Sequence, residues 1–129
     1  MQTFEEHKVV EQGDLDNLDH VNNVRYVQWV QDIAERHWKS KITDEIESNF
    51  FWVLIDHHIQ YKNAAKLGDV LKVVTYVEKA EAVTTLRVVE FYDENTDLLL
   101  AKSKTKWVFM SKTTLKPTRI TPEVFELFS

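Results

Sequence analysis

Asp16, His20 and Asn23 stand four and three residues apart in the stretch DLDNLDHVNNVRYVQW (14–29), directly ahead of an apolar pattern with helical spacing. A carboxylate and an imidazole in a loop that feeds a helix supply a candidate base or nucleophile and a candidate proton carrier. The helix start supplies the third part. Its first backbone N–H groups lack partners and carry the positive end of the dipole, so they polarise a carbonyl or hold developing negative charge. Asp, Asn and His before a helix also serve as turn and cap residues. The two uses are compatible, because only the backbone N–H of Asn23 is needed at the carbonyl.

These residues need a scaffold, and the chain is punctuated sparsely. Gly13 and Gly68 are its only glycines, and its two prolines, Pro117 and Pro122, lie near the end. Regular elements joined by short turns are expected. Val9 and Val10 suit a first strand over 3–11. From Asn23 to about Lys41, Val24, Val27, Val30, Ala34 and Trp38 mark one helical stripe. Tyr26, Ile33 and His37 widen it, leaving Arg25, Gln28, Asp32, Glu35, Arg36 and Lys39 for the wetter side. The second half changes to a two-residue period over 51–61, 69–79, 84–92 and 98–110, with a turn at 93–97. A closing helix is expected from Thr121 as N-cap, with Pro122 at its first position. The order predicts an α+β fold over residues 1–129 as one domain: a long helix wrapped by a curved antiparallel sheet of about five strands, and a short C-terminal helix.

Composition removes several classes of function. The absence of cysteine excludes disulfides, thiolate metal sites and Cys nucleophiles. A formal net charge of -5 argues against nucleic acid, because phosphate neutralisation needs a basic face. Neither a secretory leader nor an apolar run of membrane-spanning length is visible, so a soluble cytoplasmic protein is expected, with no membrane partner. Asp56-His57-His58 invites a metal reading, but adjacent strand residues point to opposite faces, so no metal is expected there. Lys102, Lys104 and Lys106 share one strand face, read as solvated; with Lys62, Lys66 or Arg119 they form a weaker candidate for meeting cofactor phosphates.

The element order and the motif at 14–29 together resemble the hotdog-fold thioesterases, in the branch shared by 4-hydroxybenzoyl-CoA thioesterase-like proteins and acyl-ACP thioesterases. The resemblance spans nearly the whole chain by element order and about two dozen residues by motif. It implies that Asp16, the second aspartate of an Asp-x-Asp pair, is nucleophile or general base on the thioester, and that the Asn23 backbone N–H polarises the thioester carbonyl. The HVNNxxY run of the acyl-ACP branch is matched by His20, Val21, Asn22, Asn23 and Tyr26. Two positions depart from that branch: Leu18 stands where it has asparagine, and Ala64 where it has glutamate. The aspartate-centred mechanism is therefore the one transferred. The resemblance also implies a homodimer with sites between protomers, with a dimer of dimers left open.

The expectation is thus an acyl-CoA thioesterase that releases free acid and CoA, without a bound cofactor. Asp16, Asn23 and His20 form the catalytic set, with His20 assisting proton transfer or orienting substrate. Asn22, Tyr26, His58 and Tyr61 are the substrate-binding candidates. Phe50, Phe51, Trp52 and Tyr61 hint at a fatty or aromatic acyl group. Three rivals stand beside this reading: an acyl-ACP thioesterase, a non-catalytic hotdog protein that binds acyl thioesters, and a hotdog hydratase or dehydratase.

Overall fold

A computed structural model describes residues 2–129. Strand β1 (Thr3–Val9) leads through a 3-10 turn (Gln12–Asp14) and the motif loop into helix α1 (Asn23–Lys41). A short helix α2 (Asp44–Asn49) follows, then β2 (Phe50–Tyr61), β3 (Val70–Glu81), β4 (Thr84–Asp93), β5 (Leu99–Ser111) and helix α3 (Pro122–Phe128). The five strands form one antiparallel sheet in the order β1-β3-β4-β5-β2, so β1 and β2 are its edges. This is the hotdog arrangement that the resemblance implied.

Local chemistry explains each boundary of α1. The Asn22 side chain accepts a hydrogen bond from the Val24 N–H at 3.0 Å, which caps the first turn. Lys39 and Lys41 occupy the last turn, where cations complement the dipole. Between these ends, Tyr26, Trp29, Val30, Ile33, Ala34 and His37 are buried against the inner face of the sheet. Each large apolar side chain so covered contributes about 1.5–3 kcal/mol. Val24, placed on the apolar stripe by spacing, is instead 72% exposed. It sits in the first turn, before the helix passes under the sheet.

The first strand stops at Val9, two residues short of the expected end, because Glu11 and Asp14 close a capping box around the 3-10 turn. The helix α2 was not foreseen. Thr43 caps it, accepting from the Ile46 N–H at 3.2 Å, and Ile46 is buried. The closing helix starts as expected: Thr121 accepts from the Val124 N–H at 3.2 Å, with Pro122 in the first turn. The core has two parts. One joins Tyr26, Trp29 and Val30 of α1 to Leu71, Phe91 and Leu100. The other gathers Phe109, Val124 and Phe128, with Trp38, Phe50 and Trp52 packed on them. The first braces the start of α1, and the second fills the far end beneath α3.

Candidate active site

The motif loop is a tight reversal. Leu15 and Val21 form an antiparallel bridge, the Asp16 N–H donates to the His20 carbonyl at 2.8 Å, and the Asn22 N–H donates to the Asp14 carbonyl at 2.8 Å. Asp19 takes a left-handed backbone (φ 60°), a conformation that Asp adopts more readily than most residues. The carboxylate of Asp16 sits inside this reversal. Its Oδ1 accepts from the Leu18 N–H at 2.8 Å and the His20 N–H at 3.2 Å, while Oδ2 has no partner among the described residues. One oxygen is thus anchored, and the other remains available for chemistry.

Immediately beyond the loop, the cap consumes the next amides selectively. The Val24 N–H is taken by the Asn22 side chain and the Arg25 N–H by the Asn22 carbonyl at 2.9 Å. The Asn23 N–H keeps no acceptor among the described residues, as the first residue of a helix should. Arg25 ties helix to loop, reaching Asp14 at 3.3 Å and the Gly13 carbonyl at 3.3 Å. Asp14 is therefore a brace and not a solvated loop carboxylate: its side chain is 13% exposed and also accepts from the Glu11 N–H.

Tyr61, at the end of β2, joins this group, with its hydroxyl donating to the Asn23 carbonyl at 3.3 Å. Tyr26 lies beneath, its ring 5.7 Å from that of Tyr61 and edge-on to Phe91. The Tyr26 hydroxyl is buried without a partner among the described residues, and burial pushes its pKa up to about 12. Asp16, His20, Asn22, Asn23, Tyr26 and Tyr61 are thus gathered around the start of α1. His58 is not. It pairs in register with Lys104, whereas His57 hydrogen-bonds buried Ser103 at 2.9 Å and Tyr61 pairs with Ala101. His58 accordingly faces outward, across the sheet from Tyr61.

Of the lysines, Lys102 and Lys104 lie on that outer face and pair with Glu90 at 3.7 Å and Glu78 at 3.2 Å. Lys66 is placed differently. It bridges His20 in an isolated β-bridge, and the Val21 N–H donates to the Ala65 carbonyl at 2.9 Å, which sets the loop after β2 against the motif loop. Ala64 lies in the same loop, beyond the end of β2.

Sequence reasoning missed a buried polar cluster at the far end of α1. Arg87 Nη1 lies 2.9 Å from His37 Nδ1 and 3.0 Å from Thr75 Oγ1, and Thr75 in turn donates to the Val88 carbonyl. His37 stacks on Phe4 and meets Phe128 edge-on. Burial, and then the charge of Arg87, hold its pKa down to about 4. Burial also lowers Arg87 to about 10, so it remains a cation at neutral pH. A signal for the cluster was present: arginine occupies an inward position in the alternation Thr85, Arg87, Val89, Phe91. A cavity of about 630 Å³ opens beside it, and Asp16, His20 and Asn23 do not line that cavity.

The sequence model of the thioesterase-like superfamily matches residues 10–128. No curated protein matches the chain. Among solved structures, a 1,4-dihydroxy-2-naphthoyl-CoA thioesterase from Synechocystis aligns with a TM-score of 0.84 at 22% identity, over 98% of this chain and 95% of its own. A hypothetical protein from Staphylococcus aureus, solved in complex with CoA, aligns with a TM-score of 0.87 at 16% identity, over 98% of this chain and 81% of that one. A 12:0-ACP thioesterase from Umbellularia californica aligns with a TM-score of 0.85 at 16% identity, over 98% of this chain and 51% of that one.

Proposed function

The chain belongs to the thioesterase-like superfamily and is a thioesterase, and from that premise we propose that it hydrolyses a fatty or aromatic acyl-CoA at Asp16, with the Asn23 N–H holding the thioester carbonyl. The observation that carries this reading is the half-anchored carboxylate of Asp16. Two loop amides fix one oxygen and leave the other open, next to a helix start whose first N–H is unused.

Two routes are consistent with that arrangement. As general base, Asp16 takes a proton from water, the hydroxide adds to the carbonyl carbon, and the oxyanion collapses with loss of the thiolate. As nucleophile, its free oxygen adds directly and expels the thiolate, leaving a mixed anhydride that water then hydrolyses. In both routes the developing oxyanion is stabilised by the helix-start donor, an effect of about 3 kcal/mol for one well-placed N–H. His20, whose backbone already closes the loop, is assigned the delivery of a proton to the departing thiolate.

CoA is favoured over an acyl carrier protein by charge. The chain is itself acidic, which opposes an acidic carrier, and Lys66 stands beside the motif loop where a nucleotide phosphate would be met. The Staphylococcus aureus neighbour solved with CoA supports the same choice. The functional unit is a homodimer built through edge strand β2, and Tyr61 lines the entry of the acyl group, backed by the buried ring of Tyr26. A cytoplasmic setting belongs to the same reading; no described helix is long and apolar enough to cross a membrane.

The test is thiol release from short, long, branched and aromatic acyl-CoAs, comparing the native protein with Asp16→Asn. Release by the native chain that collapses in the variant, with acyl-CoA binding retained, sustains the reading. Release from acyl-ACP alone would move the substrate to the carrier protein. Saturable binding without release from any thioester would replace the enzyme with a binding module.

A further inference from the structure

The cavity at the far end of α1 contains a feature that the hydrolytic site does not use. Aromatic side chains from three elements wall it, Trp38 of α1, Phe50 and Trp52 of β2, and Phe128 of α3, and Lys39, Lys79 and Lys112 line it as well. Arg87 is set into this apolar wall. It is 7% exposed, and its only polar contacts among the described residues are to His37 and Thr75, both through Nη1.

The other guanidinium nitrogens have no acceptor among the described residues. The arginine ion pairs there are Arg25–Asp14 and Arg36–Glu6, so Arg87 has no carboxylate partner. Of the three glutamates lining the same cavity, Glu35 pairs with Lys39 at 2.9 Å and Glu78 with Lys104 at 3.2 Å, while Glu47 is not within ion-pair distance of Arg87. His37 does not balance the charge either, since it is neutral and offers the guanidinium only a ring nitrogen as acceptor. A buried cation is strongly disfavoured unless an anion meets it. The planar fork left open on Arg87 matches the two oxygens of a carboxylate.

We propose that this cavity binds a carboxylate borne on an apolar body, with Arg87 as the carboxylate anchor and the aromatic walls holding the hydrocarbon. Its volume lies within the roughly 300–1,000 Å³ typical of small-molecule sites. Within one protomer it is separate from the hydrolytic group: Gln31, the wall residue of α1 nearest the start of the helix, lies about 12 Å along the axis from Asn23. Two sources present this chemistry. One is a free fatty or aromatic acid, such as the product of thioester hydrolysis; the other is an acyl-CoA whose acyl chain ends in a second carboxylate.

Three of the four tryptophans, Trp38, Trp52 and Trp107, line the cavity, so their fluorescence reports occupancy without any turnover. Dodecanoate, 1-dodecanol and methyl dodecanoate are titrated against the native protein and Arg87→Met. The expected result is dodecanoate binding at least about tenfold tighter than either neutral analogue. In Arg87→Met that preference should vanish while the neutral analogues bind as before. If Arg87→Met does not fold, Arg87→Gln takes its place, and the native comparison of acid with alcohol stands without any variant. Equal affinity for acid and alcohol in the native protein overturns the proposal, as does a preference that survives removal of the cation or an absence of binding by all three probes. Thiol release then separates the sources. Dodecanedioyl-CoA with a lower KM than dodecanoyl-CoA, the advantage lost in Arg87→Met, assigns the carboxylate to the substrate. Equal KM values together with tight dodecanoate binding assign it to a free acid. Failure of the titration leaves the assignment of Asp16 untouched, because no step of the test passes through it.

Discussion

Arg87 directs Nη1 at the unprotonated Nδ1 of His37, 2.9 Å away, in the interior between α1 and the sheet. This fixes the tautomer. Nδ1 must accept, so the proton of the neutral ring sits on Nε2, which is buried without a partner among the described residues. Protonating Nδ1 would set two cations against each other.

The first prediction follows from that pair. The folded-state pKa of His37 is lowered from 6.5 to about 4, so the unfolded chain binds the proton first. The stability it contributes is present in full above about pH 6.5 and is lost as pH falls through about 4. Denaturant midpoints should fall over this window by an amount equivalent to about 3 kcal/mol. His37→Gln, which keeps an acceptor for Arg87 but does not titrate, should flatten this part of the profile. A slope unchanged in the variant would assign the acid sensitivity elsewhere.

Asp16 has a structural and a chemical role, and two substitutions separate them. Asparagine keeps an oxygen for the Leu18 and His20 amides but removes the negative charge. Asp16→Asn should therefore lower kcat by roughly 10²–10⁴-fold with little change in Tm. Asp16→Ala should lose both, with a further cost of about 1–3 kcal/mol in stability from the two stranded amides. If Asp16→Asn kept native activity with native Tm, the carboxylate would be only a loop anchor.

The edge strand β2 carries the third prediction. It runs twelve residues, and its apolar Val53 and Ile55 are 38% and 54% exposed. Ile55 lies at a bulge, where the register against β5 skips from Leu54 to Asp56. A long apolar edge invites pairing with another strand. Sedimentation should show a dimer, and Ile55→Lys should weaken it on the order of a hundredfold through a charge stranded at the seam. Thiol release should fall with the dimer fraction. A native protein that sediments as a monomer while fully active would sink this prediction.

What was legible in the sequence, and what was not, divides by range. The bounds of α1, the Thr121 cap and the alternation of the later strands rest on local periodicity and capping chemistry, and they could be read directly. The motif at 14–29 also declared itself, because loop, cap and helix start are contiguous. Tyr61 reaches the Asn23 carbonyl across 38 residues, and only the sheet order brings it there. Arg87 and His37 lie 50 residues apart. The first looked like one charged residue in a strand and the second like one more member of a helical stripe, so neither signalled the other. His58 shows what alternation alone does settle: it shares a strand face with Asp56 and Gln60, and three steps along the strand put it on the opposite face from Tyr61.

Lys66 yields the final prediction, because it separates the two lysine groups that sequence alone left equivalent. Lys102 and Lys104 are committed to Glu90 and Glu78 on the outer face, whereas Lys66 abuts His20 in the motif loop. If Lys66 meets a phosphate of CoA, it binds a part of the substrate that does not change during the reaction. Its loss should then raise KM and leave kcat nearly unchanged. Lys66→Glu is expected to raise KM for acyl-CoA roughly tenfold and to invert its dependence on ionic strength, since salt would then screen a repulsion instead of an attraction. A truncated substrate, the acyl thioester of N-acetylcysteamine, lacks the nucleotide and should not sense the substitution. The same charge reversal at Lys104 should leave both substrates unaffected. Equal losses on acyl-CoA and on the truncated thioester would mean that Lys66 supports the loop, with the phosphates held elsewhere.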